Sequence, residues 1–168
     1  MSIYFERVVL ENWLVYRGRV NIDFGSLSTD NKNIIVIHGL NGFGKTSLLR
    51  GIRWAFHRYL PEKSLHECFN TGAIRAGGRD LSVEVHFLVD GIPYQLIRRA
   101  KARLDGAGEA ISASEQPPEL IIDGRALEGA VQDAIEQLLP KECQQFFFFD
   151  GLEIETCLLY TSPSPRDS

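Results

Sequence analysis

Ile34-Ile35-Val36-Ile37-His38-Gly39-Leu40-Asn41-Gly42-Phe43-Gly44-Lys45-Thr46-Ser47 is the stretch on which the fold turns. Four β-branched residues lead straight into the loop, and Gly39 to Thr46 fit G-x-x-x-x-G-K-[ST] at every fixed position. Each position has a physical reason. A polyphosphate needs backbone N–H groups converging on its oxygens, so the loop must wrap tightly, and glycines supply the dihedrals and the close approach. Lys45 brings a mobile point charge to the β- and γ-phosphates, and the Thr46 hydroxyl ligates Mg2+. A helix starting near Lys45 aims its N-terminal dipole at the same anion. The candidate nucleotide-binding residues are therefore Gly39, Asn41, Gly42, Phe43, Gly44, Lys45, Thr46 and Ser47, with Lys45 in the catalytic role. The loop requires an α/β setting, a buried strand before it and a helix after it.

Working outward, 168 residues suit one domain with a sizeable core. Hydrophobic content of 44% and charged content of 24% argue against overall disorder. A net charge of −4 gives no global footprint for nucleic acid, so any DNA contact must use local patches. Cys68, Cys143 and Cys157 lie far apart, without C-x-x-C or a histidine at metal spacing, the pattern of a reduced intracellular chain. No apolar run approaches membrane-spanning length and the N-terminus lacks a signal-peptide pattern. The expectation is a cytoplasmic protein with no membrane contact.

Before the loop, residues 3–10 and 20–24 read as two strands, joined by a turn that includes Gly18 and passes Asn12, Trp13 and Tyr16. After it, a helix over about 46–60 carries Leu48, Ile52, Ala55, Phe56 and Tyr59 as its buried stripe. Arg50, Arg53 and His57 fall on another face, expected to be solvated, and Pro61 stops the helix. Residues 62–80 read as irregular. Leu81, Val83, Val85, Phe87 and Val89 alternate along a strand, Asp90-Gly91 turns it, and 94–98 returns. The basic run Arg98 to Arg103 reads as an exposed strand end guarded by charge, with contact to a phosphate backbone as the functional alternative. Residues 105–118 read as a flexible polar connection, 119–122 as a short strand, and 127–139 as a helix.

Gln144-Gln145-Phe146-Phe147-Phe148-Phe149-Asp150-Gly151 is the second informative stretch. Four consecutive aromatics suit a strand buried on both sides, as at the centre of an α/β sheet. An acidic residue after them has the form of a Walker B strand, whose Asp holds Mg2+. A plain core strand ending in an Asp-Gly turn is the other reading. The glutamate expected directly after a Walker B Asp is missing, because Gly151 and Leu152 precede Glu153.

Leu10-Glu11-Asn12-Trp13 followed by Tyr16-x-Gly18, the G-x-N-G-x-G-K-T loop and the Leu-Leu-x-x-Ile helix resemble the opening of SMC/SbcC-type ABC ATPases. The Phe-Phe-Phe-Phe-Asp-Gly segment and the Asn-Trp start are most similar to the DndD-type ATPases of DNA sulfur modification. The resemblance covers about residues 3–155. It implies a split ATPase head: an N-terminal half with the phosphate loop and a Q-loop, then a coiled coil, then a C-terminal half with the signature motif, Walker B and the catalytic glutamate. It places Asp150 at the Q-loop, where a side chain reaches Mg2+ and the γ-phosphate, and the lack of a Ser-Gly-Gly signature before Phe146 agrees. The family carries Gln at such a position, which leaves Gln144 or Gln145 as alternatives to Asp150. ATP and Mg2+ are the implied cofactors. A second head in a homodimer, the C-terminal half and DNA are the implied partners.

The tail departs from that pattern. Residues 156–168 hold prolines and Ser/Thr where heptads should begin, and resemble translated adapter sequence. The expected organisation is thus a half-head over 1–155 and a non-native or disordered tail, in a truncated product that is inactive alone although the full-length protein is an ATPase. The fold class is α/β, a P-loop NTPase lobe with flanking antiparallel strands. The implied function couples ATP binding and hydrolysis to DNA processing, repair or sulfur modification. Two other readings stand beside it. One is a complete small P-loop kinase or GTPase with Asp150 as Walker B; the other is a non-hydrolysing, nucleotide-dependent interaction module.

Overall fold

The computed structural model describes residues 2–25, 37–60 and 63–141. Among these described residues, seven strands form one sheet: β1 (Ile3–Glu11), β2 (Arg19–Asp23), β3 (Asp80–Val89), β4 (Ile92–Leu104), β5 (Ala110–Glu115), β6 (Glu119–Ile122) and β7 (Arg125–Ala126). The order is β2-β1-β3-β4-β6-β7, every pairing is antiparallel, and β5 shares an edge of β4 with β6. The helices are α1 (Lys45–His57), α2 (Thr71–Arg75) and α3 (Val131–Leu138). None of the described helices is long and apolar enough to cross a membrane.

Period-two alternation explains the sheet's two faces. Val8 and Leu10 of β1 lie opposite Val85 and Val83 of β3, and Val85 lies opposite Leu96 of β4. All five are buried on the face that receives α1. There Phe56 meets Phe5 edge-on at 6.1 Å and Phe87 at 5.4 Å, while Trp13 stacks on Trp54 at 5.2 Å. Each such side chain removed from water contributes about 1.5–3 kcal/mol of transfer free energy. Close approach of α1 depends on Gly51, where an added Cβ would stand 2.9 Å from Leu10 Cδ2 and 3.2 Å from Trp13 Nε1.

Leu48, Ile52, Ala55 and Phe56 are buried as their spacing predicts, but Tyr59 is not part of the stripe. Arg58 takes φ 58°, ends α1 as its C-cap and turns the chain, leaving Tyr59 outside the helix and exposed. The face expected to be solvated is also largely inside: Arg53 and His57 are 5% and 7% exposed. Every residue from Gly51 to His57 is buried, so the second half of α1 has no free face.

Four further segments differ from expectation. The basic run is not a strand end, because β4 continues to Leu104 and alternation sends Arg98, Ala100 and Ala102 to the buried side. The polar connection contains β5, made possible by the Asp105 carboxylate, which accepts from the Ala107 and Glu109 amides at 2.9 Å and closes the turn. The stretch read as irregular holds a 3-10 turn at Leu65–Cys68 and α2, started by a Ser64–Glu67 capping box and by Asn70 capping Ala73. The last helix begins only at Val131, since Arg125 and Ala126 pair with β6 and Gly129 sits at φ 97°. Most of the strand expected before the loop, and the whole phenylalanine run with Gln144, Gln145, Asp150 and the tail, lie outside the described residues.

Candidate phosphate-binding site

The described loop runs exposed from Ile37 to Phe43, turns at Asn41 and Gly42, and enters α1 through a buried Gly44. Phe43 N–H donates to the Leu40 carbonyl at 3.4 Å to close the turn. Gly42 and Gly44 take φ 85° and 94°, outside the range an L-side chain adopts without strain. The first helical bond of α1 runs from Leu48 N–H to the Gly44 carbonyl at 2.8 Å. The amides of Lys45, Thr46 and Ser47 therefore have no acceptor one turn earlier in the helix.

In most helices a Ser, Thr, Asp or Asn side chain occupies that end. Here the cap is a glycine with no side-chain bond, and the first turn carries no acidic residue. The positive end of the helix dipole is thus left for an external anion. The Lys45 side chain folds back over the loop, its Nζ donating to the Gly39 and Leu40 carbonyls at 2.7 and 2.9 Å. That keeps a cation at the loop mouth, held by two neutral acceptors that an anion readily displaces. Thr46 is exposed in the first turn, so its hydroxyl is available to a cation bound beside the anion. The residues present fit a Mg2+-bound nucleoside polyphosphate, which supplies the reacting phosphoanhydride.

The connection between β1 and β2 holds this loop in place, a role that sequence reasoning did not assign. Tyr16 Oη donates to the Gly44 carbonyl at 3.0 Å, and Trp13 Nε1 donates to the Ser47 carbonyl at 2.7 Å. Burial pushes the Tyr16 phenol above its ordinary pKa, so it stays a donor through the physiological range. The available signal was two aromatics inside a polar turn.

At the other end of α1, Arg98 is 1% exposed. Its Nε donates to the Ala55 carbonyl at 2.9 Å, Nη1 to Glu115 at 3.0 Å and Nη2 to Gln132 at 2.8 Å. Burial lowers the Arg98 pKa, and the facing Glu115 carboxylate opposes that shift. The guanidinium therefore ties α1 to β5 and α3. Cys68 is buried, and that burial raises its thiol to about 11, so it is no nucleophile at neutral pH. Asp150, Gln144 and Gln145 are among the residues not described, and Thr46 is the one metal-ligand candidate whose position is on view.

A family model described as an AAA domain matches residues 7–155. A solved structure from work on the ATP-driven dimerization and DNA-stimulated activation of SMC ATPases aligns with a TM-score of 0.52 and 16% identity. That alignment covers 95% of this chain and 99% of the other. At such identity the likeness concerns the fold. No curated protein matches the chain.

Proposed function

Because the chain belongs to the AAA domain family of P-loop ATPases, with the fold of an SMC-type head, we propose that it is the ATP-binding lobe of a split ATPase head. The single observation that supports this is the uncapped start of α1 with Lys45 folded over the carbonyls of Gly39 and Leu40. In this reading residues 1–155 form the lobe. Backbone amides of Gly42 to Ser47 receive phosphate oxygens, Lys45 neutralises their charge, and Thr46 together with Asp150 holds Mg2+. Asp150 acts as the Q-loop ligand, in line with the likeness of residues 146–151 to DndD-type ATPases.

Hydrolysis needs a group that positions water and further donors opposite the γ-phosphate. Glu153 and Glu155 stand at the wrong spacing from Asp150 for that task, and the sequence has no Ser-Gly-Gly signature before Phe146. Turnover accordingly draws on a complementary half-head and on a second head in a homodimer. That ATP-gated pairing drives DNA processing, repair or sulfur modification in the cytoplasm.

Calorimetric titration of the chain with ATP·Mg2+ and GTP·Mg2+ tests the reading, followed by phosphate release with Lys45→Ala as control. ATP is expected to bind in preference to GTP. Lys45→Ala should raise Kd roughly 10- to 150-fold, the value of one charge-assisted contact of about 1.5–3 kcal/mol. Phosphate release by the isolated chain should stay at background. Lys45-dependent turnover by the isolated chain would instead favour the complete small kinase or GTPase. Tight binding with no turnover in any assembly would favour the interaction module.

A further inference from the structure

The Asn12–Gly18 connection closes the β1–β2 hairpin and is also held by contacts from outside it. Asn12 N–H donates to the Gly18 carbonyl at 3.1 Å, and Gly18 N–H returns to Asn12 Oδ1 at 2.9 Å. Asn12 Nδ2 reaches the Asp80 carbonyl at 2.8 Å, while Leu14 is held from both sides, its N–H on Cys68 O and its carbonyl by Asn70 Nδ2, each at 2.7 Å. Asn12 and Leu14 both take positive φ, 52° and 48°. Backbone of this kind persists only where its surroundings over-determine it, and it clusters at functional sites. What the fold gains is the placement of Tyr16 against Gly44.

The consequence follows from peptide geometry. The Gly44 carbonyl and the Lys45 N–H belong to one planar peptide, and the described chain has no cis bonds, so the two groups point in opposite directions. The Gly44 oxygen accepts from Leu48 N–H at 2.8 Å and from Tyr16 Oη at 3.0 Å, one donor for each lone pair. With the carbonyl held toward Tyr16 and Leu48, the Lys45 N–H points the opposite way, out of the start of α1 on the side where the loop lies. Glycine at φ 94° makes the alternative peptide orientation sterically open, and the Leu48 bond alone belongs to a terminal turn. We propose that Tyr16 is a positioning residue for a nucleoside polyphosphate, fixing the Gly44–Lys45 peptide so that the Lys45 amide donates to the bound phosphate. This rests on the phosphate-site reading above, and it assigns to the β1–β2 connection a part in affinity.

Tyr16→Phe keeps the ring and removes only the hydroxyl. ATP·Mg2+ and ADP·Mg2+ are titrated into the wild-type chain and the variant. Two further measurements accompany them: the urea midpoint, and the amide 15N resonance of Lys45 with the carbonyl 13C of Gly44. The variant is expected to bind both nucleotides about 3- to 10-fold more weakly, the value of one neutral hydrogen bond. The Gly44 and Lys45 resonances should move without nucleotide present, and correction for the folded fraction should leave the affinity loss in place. A Kd within twofold of wild type overturns the assignment. So do unmoved Gly44 and Lys45 resonances, or a loss explained entirely by unfolding. Failure of the wild-type chain to bind either nucleotide rejects the phosphate site itself, a different outcome from a wild type that binds and a variant that binds equally.

Discussion

Arg98→Met tests whether the interior of this domain is organised by a buried cation. Methionine keeps most of the apolar stem and deletes the guanidinium. Three acceptors lose a donor: the Ala55 carbonyl, Glu115 and Gln132. They are not equally stranded. Glu115 keeps Arg58 at 2.6 Å, and the half-buried Gln132 loses only the donor to Oε1 while its Nε2 stays on the Phe56 carbonyl at 3.3 Å. Ala55 contributes one of the last four carbonyls of α1, so no intrahelical donor replaces the lost one. A buried acceptor left bare costs about 1–3 kcal/mol, and breaking a buried ion pair costs about 3–5 kcal/mol when nothing else supports it. With Arg58 retained and the guanidinium's own desolvation relieved, a net loss of about 2–4 kcal/mol is expected. For a domain of this size that lowers Tm by roughly 5–15 °C.

The control is the next residue. Arg99 points to the opposite face of β4 and pairs with Glu119, with side-chain exposures of 38% and 52%. Arg99→Met should change stability by less than about 1 kcal/mol, as exposed pairs do. Urea unfolding at constant m reads both variants on one scale. A loss below about 1 kcal/mol for Arg98→Met, or equal losses for the two, would refute the argument. Arg98→Met combined with Glu115→Met should recover part of the loss, since it removes a carboxylate left with only one of its two arginine partners.

Gly44→Ala should destabilise the chain by about 1–3 kcal/mol and impair ATP binding, because φ 94° is retained at a cost and the new Cβ would lie 2.8 Å from Tyr16 Oη. Gly39→Ala, with nothing within 4 Å of its added Cβ, should leave thermal stability near wild type; equal melting curves for both variants would show that the Gly44 conformation is unimportant. Acidification should also destabilise the fold. Burial, then the neighbouring Arg7, lowers the His86 pKa, and burial lowers that of His57, so the unfolded chain takes up these protons first as pH falls through about 6.5. This stability is fully present above that pH and is lost on the acid side, until the folded imidazoles protonate as well. The urea midpoint should fall from about pH 7.5 to about 5.5, and His86→Gln should flatten the dependence; an unchanged slope would count against it.

Among the site residues, the loop was legible because each position of G-x-x-x-x-G-K-[ST] has a local reason. Glycine opens a dihedral, lysine carries a charge, and a helix start exposes amides. The buttress behind it was not. Tyr16 and Trp13 reach Gly44 and Ser47 across 28 and 34 residues, and no periodicity encodes such a contact. Short-range pattern likewise placed β1, β3 and the Asp90-Gly91 turn, since alternation of apolar residues is enough to set a strand's two faces.

Pairing settled what pattern could not. β4 outran its predicted end by six residues because β5 supplies donors and acceptors along its second edge from Ala100 to Leu104. That extension fixed which of two adjacent arginines went inside. Arg53 and His57 looked like members of a solvated stripe because a helical wheel shows only spacing. A wheel cannot show how many sides of the helix will be covered, and here α1 is enclosed around its whole second half. The sequence by itself determined the glycine turn, the helix start that follows it and the apolar alternation, because all three are written in residues close together in the chain. Only the tertiary structure decided which charges are buried and what holds the loop's peptides in place, because those depend on partners that the fold brings from far along the chain.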